Sequence, residues 1–239
     1  MDEKIEVILI DVGNSSVKTT KVVNGGFLNT RVWTEDLSSA LAHYPATPIM
    51  ISSVRKLPEE LKLNDNITVL SHLIKLPIKL DYDTPETLGA DRIAAAVGAM
   101  EMFPEENNLI IDLGTCMTID LVEKGGIFKG GVIAPGLKMR MKSMAHFTDK
   151  LPDISSEWEQ IMSGELGKST KQCLFSGSYW GIIHEINGVL QTLKHDFTSL
   201  NTILTGGDAH FFESKLKAHI FAGSKIVQRG LYRIWKYQQ

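Results

Sequence analysis

Two aspartates, Asp11 and Asp112, each end an apolar run and are followed two residues later by a glycine, in Asp11-Val12-Gly13-Asn14 and Asp112-Leu113-Gly114-Thr115. Glycine has no Cβ, so backbone N–H groups in such a turn can approach an anion closely. Asn14, Ser15, Thr115 and Thr118 add neutral donors. A carboxylate repels phosphate, so the two aspartates suit a cation held directly or through water, either magnesium or a monovalent ion. Taken singly, each also reads as an ordinary Asx turn. A third group, Gly89-Ala90-Asp91-Arg92, puts an acid and a base side by side early in an alanine-rich segment. Asp91 can complement a helix dipole with Arg92 on the solvated face. Beside a phosphate site, Asp91 can instead take a proton from a substrate hydroxyl, and Arg92 can meet an anionic substrate. Backbone donors, cation-holding carboxylates and one proton acceptor are the parts phosphoryl transfer requires.

The usual nucleotide motifs are missing. No GxGxxG follows a strand, and the nearest approach to a P-loop, Gly164 to Thr170, has Met162 where its first glycine belongs and no buried strand before it. His184-Glu185 is followed by Gly188 where a zinc motif needs histidine.

The elements that must carry these residues repeat. Ile5 to Ile10 reads as a buried strand, Ser16 to Val23 as a second, Asn24-Gly25-Gly26 as a hairpin turn and Phe27 to Trp33 as a third strand. About 100 residues later the pattern returns, with a one-residue slip: Leu109 to Ile111 ending in Asp112, Thr118 to Glu123, the Gly125-Gly126 turn and a strand starting at Ile127. Between the copies the sequence predicts a helix over Glu35 to Ala42 and strands at Pro48 to Ser52 and Ile67 to Leu70. A helix over Thr84 to Met102 follows, with Thr84 as its cap, Pro85 in its first turn and its clearest signal from Gly89 onward. After the second copy come a strand through Gly130 to Gly136, helices at Leu137 to His146 and Thr170 to Lys194, and a strand at Asn201 to Leu204 ending in Thr205-Gly206-Gly207. Helices over Asp208 to His219 and Ser224 to Tyr237 close the chain.

With 239 residues, 43% apolar and 22% charged, and a formal charge of -3, the chain is expected to be globular and is no generic binder of nucleic acid. No run of about 18 apolar residues offers a membrane span, and the acidic start followed by six apolar residues is a strand, not a signal peptide. Cys116 and Cys173 read as reduced, buried small side chains of a cytoplasmic protein.

Five motifs in order resemble the type III pantothenate kinases of the acetate and sugar kinase, heat-shock ATPase and actin superfamily: Asp11 to Ser15, Tyr82 to Pro85 leading into Gly89 to Arg92, Asp112 to Thr118, Gly130 to Gly136, and Thr205 to Gly207. Ser15 and Cys116 stand where that family usually has threonine and alanine, and the chain is short around Asp153 to Ser163. The resemblance implies an α/β fold of two duplicated ribonuclease-H-like lobes, 1–104 and 105–239, with the nucleotide cleft between them and the final helix free to pack back on the first lobe. It implies ATP-dependent phosphorylation of pantothenate on the path to coenzyme A. Carried over by position, Asp91 becomes the proton acceptor, and Tyr82, Gly89, Ala90, Asp91, Arg92 and Thr170 the pantothenate contacts. Asp11, Val12, Gly13, Asn14, Ser15, Ser16, Val17, Lys18 and Thr115 become the ATP site, Asp112 the ligand of potassium or ammonium, and Asp11 a magnesium ligand, directly or through water. A cytoplasmic homodimer is expected, with Thr170 acting near its interface. A kinase for another small alcohol, a phosphatase and a non-catalytic actin relative or regulator are the alternatives; Gly89 to Arg92 argues against the first two and the retained aspartates against the last.

Overall fold

The computed structural model describes residues 6–33, 37–216, 218, 220–223 and 225–239. Three strands open the chain, β1 (Glu6–Val12), β2 (Val17–Val23) and β3 (Gly26–Trp33). After α1 (Leu37–Ala42) come β4 (Ile49–Ser53), β5 (Ile67–Val69) and the two-residue β6 (Lys79–Leu80), then α2 (Ala90–Met102). The second half runs β7 (Asn108–Leu113), β8 (Cys116–Glu123), β9 (Ile127–Pro135), α3 (Leu137–His146), α4 (Trp158–Ile161), α5 (Thr170–Asp196), β10 (Asn201–Thr205), β11 (Ile220–Ala222) and α6 (Ile226–Gln238).

The strands form two sheets, ordered β3-β2-β1-β4-β5 and β11-β10-β7-β8-β9-β6. Read from the other end, the second repeats the order of the first with β6 added at one edge, so the repeat seen in sequence is a repeat of topology. In the first sheet β1 runs antiparallel to β2 and parallel to β4. Both hairpins turn through left-handed backbone at the expected glycines: Gly25 has φ 82°, Gly125 82° and Gly126 77°, a conformation that costs glycine nothing.

By contacts the described residues fall into two compact units. One holds the residues up to Asn108 together with Asp120–Gly130 and Lys225–Gln239, and the other holds Leu109–Ile119 and the chain from Gly131 to Gly223. In the first unit β1 has two apolar faces. Ile8, Ile10 and Val12 pack with Ala40, Ile49, Ile51 and Trp33, with Leu37 and Leu41 of α1 against them. Val7, Leu9 and Met50 are buried on the opposite face, where α2 and α6 cover β1 and β4. Small residues set how closely those helices approach. A Cβ on Gly98 would lie 2.9 Å from the Ile226 carbonyl carbon, and one on Gly230 2.6 Å from that of Ala94.

Four expectations change. Thr84 makes no side-chain cap; Pro85–Thr87 is a separate 3-10 turn, and α2 starts at Ala90 with Gly89 at its N-cap. Thr87 explains the break, because its hydroxyl donates to the Thr84 carbonyl and closes the turn locally. Asp208 to His219 is not a helix but two 3-10 turns, Ala209–Phe211 and Glu213–Lys215, leading into edge strand β11 parallel to β10; the expected end at His219 lies outside the described residues, as do the starts expected at Ile5, Glu35 and Ser224. The cysteines are not buried: Cys173 is exposed and Cys116 half-buried, neither in a disulfide. Arg92 is not on a solvated face; it is 7% exposed.

Candidate functional site

Asp11 sits one residue before the end of β1, paired across the sheet with Lys18 of β2 and, on the other side, with Ser52 of β4. Its alternation with Val7 and Leu9 turns its side chain to the face that α2 covers. Burial pushes the carboxyl up to about 6, Lys18 pulls it down, and the charge of Asp91 pushes it further up. Two carboxylates therefore feel each other in one unit. Ser52, on the same face as Asp11, is fully buried with no hydrogen-bond partner for its Oγ. A buried carboxylate in register with an unpartnered hydroxyl fits a hydrated hard cation such as magnesium, which takes oxygen ligands and retains waters. Among the described residues no three His, Cys, Asp or Glu side chains gather around one point, so such an ion would draw its remaining ligands from water or phosphate.

The turn after Asp11 is closed by the Gly13 N–H donating to the Ser16 carbonyl at 3.0 Å. Asn14 and Ser15 are exposed at its tip. From the end of β4, Val54 N–H donates to the Val12 carbonyl, and the Arg55 guanidinium reaches across 2.9 Å to the Asn14 carbonyl. The loop is thus tied down from outside as well as by its own strands.

Asp91 is the second residue of α2, where an acid complements the helix dipole. Its Oδ1 accepts from the backbone N–H of Arg92 at 2.8 Å. Burial raises its carboxyl, an effect opposed by that hydrogen bond and by the charge of Arg92. A Cβ on Gly89 would come 2.6 Å from Asp91 Oδ1, so a larger residue there would have to displace that carboxylate. The guanidinium of Arg92 turns away to Asp120 of β8, with Nε donating to both carboxylate oxygens at 3.1 and 3.0 Å and Nη2 to Oδ1 at 2.5 Å. It lies 5.9 Å from the Tyr82 ring centre and 5.7 Å from that of Phe128. Gly130, at φ 87°, leaves the Tyr82 ring its seat, since a Cβ there would stand 3.3 Å from it.

The second unit carries the matching turn. Gly114 N–H donates to the Cys116 carbonyl, so this loop is Gly114–Thr115 where the first is Gly13–Ser16. The slip between the copies lies in the turn itself. Two further glycines clasp it: Gly136 N–H donates to the Thr115 carbonyl at 3.1 Å, and a Cβ on Gly136 would lie 2.6 Å from that oxygen. Gly206, at φ 99°, crosses Leu113, and Asp208 N–H donates to the Leu113 carbonyl at 2.9 Å. Thr115 is exposed and Asp112 half-buried. Thr170 opens α5 behind the Ser169 cap, exposed to solvent. The P-loop-like segment is held against α5: the Ser163 carbonyl accepts from Trp180 and the Glu165 carbonyl from Ser176.

A profile of the type III pantothenate kinases matches residues 7–192. The chain belongs to the type III pantothenate kinase family. A type III pantothenate kinase of Cytophaga hutchinsonii is 41% identical over 96% of this chain and 98% of its own. Among solved structures, a conserved Campylobacter jejuni protein assigned to a Baf family of transcriptional activators superposes with a TM-score of 0.65 at 24% identity, over 96% of this chain and 98% of that one. A Sinorhizobium meliloti protein assigned as a 2-dehydro-3-deoxygalactonokinase gives 0.60 at 15%, over 97% and 96%. At those identities the two structures speak to the fold, an α/β arrangement of two lobes shared with sugar kinases.

For a type III pantothenate kinase, the residues expected from sequence divide by unit. Tyr82, Gly89 to Arg92 and the Asp11 to Lys18 loop fall in the first, while Asp112, Thr115 and Thr170 fall in the second. Sequence reasoning did not single out Asp120, Ser52 or Arg55, which the structure sets against Arg92, Asp11 and the Asn14 carbonyl. Asp120 did leave a trace, as an acid inside the otherwise apolar run Ile119 to Val122.

Proposed function

We propose that this chain transfers the γ-phosphoryl group of ATP to the primary hydroxyl of pantothenate, forming 4'-phosphopantothenate, the first step towards coenzyme A. The observation that carries the reading is Asp91: a half-buried carboxylate with raised proton affinity in the first turn of α2, close enough to Asp11 for their charges to interact. That is the environment of a group that must accept a proton as the hydroxyl attacks phosphorus, and a loose transition state makes no heavier demand on base strength.

Each unit brings its own phosphate loop. Val12, Gly13, Asn14, Ser15, Ser16, Val17 and Lys18 would hold the nucleotide through backbone N–H groups, hydroxyls and the Lys18 ammonium, and Thr115 would do so from the second turn. Asp11, through water, would hold magnesium, which when bound neutralises charge on the phosphates. Asp112 would hold potassium or ammonium. Gly89, Ala90, Asp91, Arg92 and Tyr82 would form the acceptor pocket with Thr170 as a further contact, in a cytoplasmic homodimer. The lobes 1–104 and 105–239 are the duplicated halves from which this arrangement is built.

A coupled assay with pantothenate, ATP, magnesium and potassium tests the reading. ADP release that depends on pantothenate supports it; no pantothenate-dependent turnover by the folded protein defeats it.

A further inference from the structure

Arg92 and Asp120 are 7% and 2% exposed, the most deeply buried ion pair among the described residues. A buried pair seldom adds stability over apolar side chains of the same volume, so stability alone does not account for it. Its connections do. Arg92 follows Asp91, and its backbone N–H donates to the Asp91 carboxylate. At the other end of the same side chain Asp120 grips the Nε and Nη2 edge, and the Tyr82 and Phe128 rings stand beside it. One residue thus links the proton acceptor, an aromatic wall and a carboxylate in the middle of β8.

We infer that Asp120 is a positioning residue for the acceptor pocket: through Arg92 it fixes the first turn of α2 and the Tyr82 ring in the geometry that receives the substrate alcohol. This rests on the pantothenate reading above. The Asp120 charge cancels that of Arg92, so Arg92 acts as an oriented donor and not as a bare cation. Loss of Asp120 leaves the guanidinium present but unaimed, and misplacement of this kind costs binding and rate without removing any reacting group.

The test compares wild type, Asp120→Asn and the double variant Arg92→Met/Asp120→Leu, which removes both buried charges together. Each is assayed with pantothenate and ATP varied in turn, and its urea unfolding is recorded. Asp120→Asn is expected to raise the pantothenate KM ~10-fold while the ATP KM stays within about twofold, the split a displaced acceptor pocket gives. The double variant is expected to unfold cooperatively and still show at least that defect. A merely structural role would lower the folded fraction, and with it kcat, leaving both KM values alone. That result for Asp120→Asn, or a folded double variant with the wild-type pantothenate KM, overturns the inference. Pantothenate turnover by wild type in the same assay keeps the functional reading intact whichever way the variants fall.

Discussion

Replacing Gly230 by alanine probes the packing that seats α2, the helix that carries Asp91. Gly230 lies inside α6, against Ala94 and Gly98 of α2. In isolation the substitution favours the helix by about 1 kcal/mol, because alanine loses less conformational freedom than glycine. In place, the new methyl stands 2.6 Å from the Ala94 carbonyl carbon and 3.0 Å from Gly98 N, where carbon atoms in contact prefer about 3.5 to 4.0 Å. The nearest obstacle is the Ala94 carbonyl oxygen, closer still and part of the backbone, so no rotamer change relieves it and α6 must move outward. Overpacking of this kind costs about 3 kcal/mol, leaving about 2 kcal/mol of net destabilisation. For a chain of this size that is about 4 to 8 °C in Tm. Gly188→Ala supplies the matched control: it too is inside a helix, α5, but a Cβ there meets nothing within 4 Å, so it is expected to stabilise by about 1 kcal/mol. Thermal and urea unfolding of the two variants decide the matter. A Gly230→Ala protein that melts with wild type would refute the argument that backbone contact between α2 and α6 sets the seat of Asp91.

Asp91→Asn is expected to lower kcat by at least ~100-fold while the unfolding transition stays close to wild type, since a carboxamide keeps the shape but not the basicity; near-normal turnover would remove Asp91 from the role. The Asp11 carboxyl, lifted from 3.8 to about 6 in the folded state, gives stability a definite pH dependence. The folded chain binds this proton more tightly than the unfolded one, so the group stabilises below its unfolded value and that contribution is lost as pH rises through about 6, with a ceiling of about 3 kcal/mol. Asp11→Asn should accordingly exceed wild type in urea at pH 7 and lose most of that advantage at pH 4; an advantage unchanged with pH contradicts the assignment. Gly136→Ala should force the Thr115 turn open and raise the ATP KM ~10-fold with the pantothenate KM little altered, and equal ATP affinity in both proteins would count against a nucleotide role for that turn.

The chemistry was legible where it was local. Asp-x-Gly turns, hairpin glycines and Gly89 to Arg92 are contiguous signals, and the structure folds them as turn, hairpin and helix start. The repeated strand order also followed, because each copy carries its own apolar periodicity. What stayed hidden depends on partners distant in sequence. The partner that holds Arg92 was not legible because Asp120, which neutralises it, is 28 residues away. Ser52 is unremarkable except for its register beside Asp11. β6 is too short for any period to show, and Asp208 to His219 carried enough apolar residues to suggest a helix although its described residues form two 3-10 turns.

The docking of α6 on α2 also has a consequence in time. The helix that carries Asp91 is made before residue 103, yet the surface that covers Ala94 and Gly98 is not synthesised until residues 226–238. Throughout translation of the second half, the first unit must wait with that flank of α2 bare. The last contact to form is thus long-range in sequence and slow to close. A ribosome that stalls near residue 220 would release a chain bearing every aspartate of the site and none of the helix that seats Asp91. Such a product would expose apolar surface to proteases and chaperones before it could meet a nucleotide.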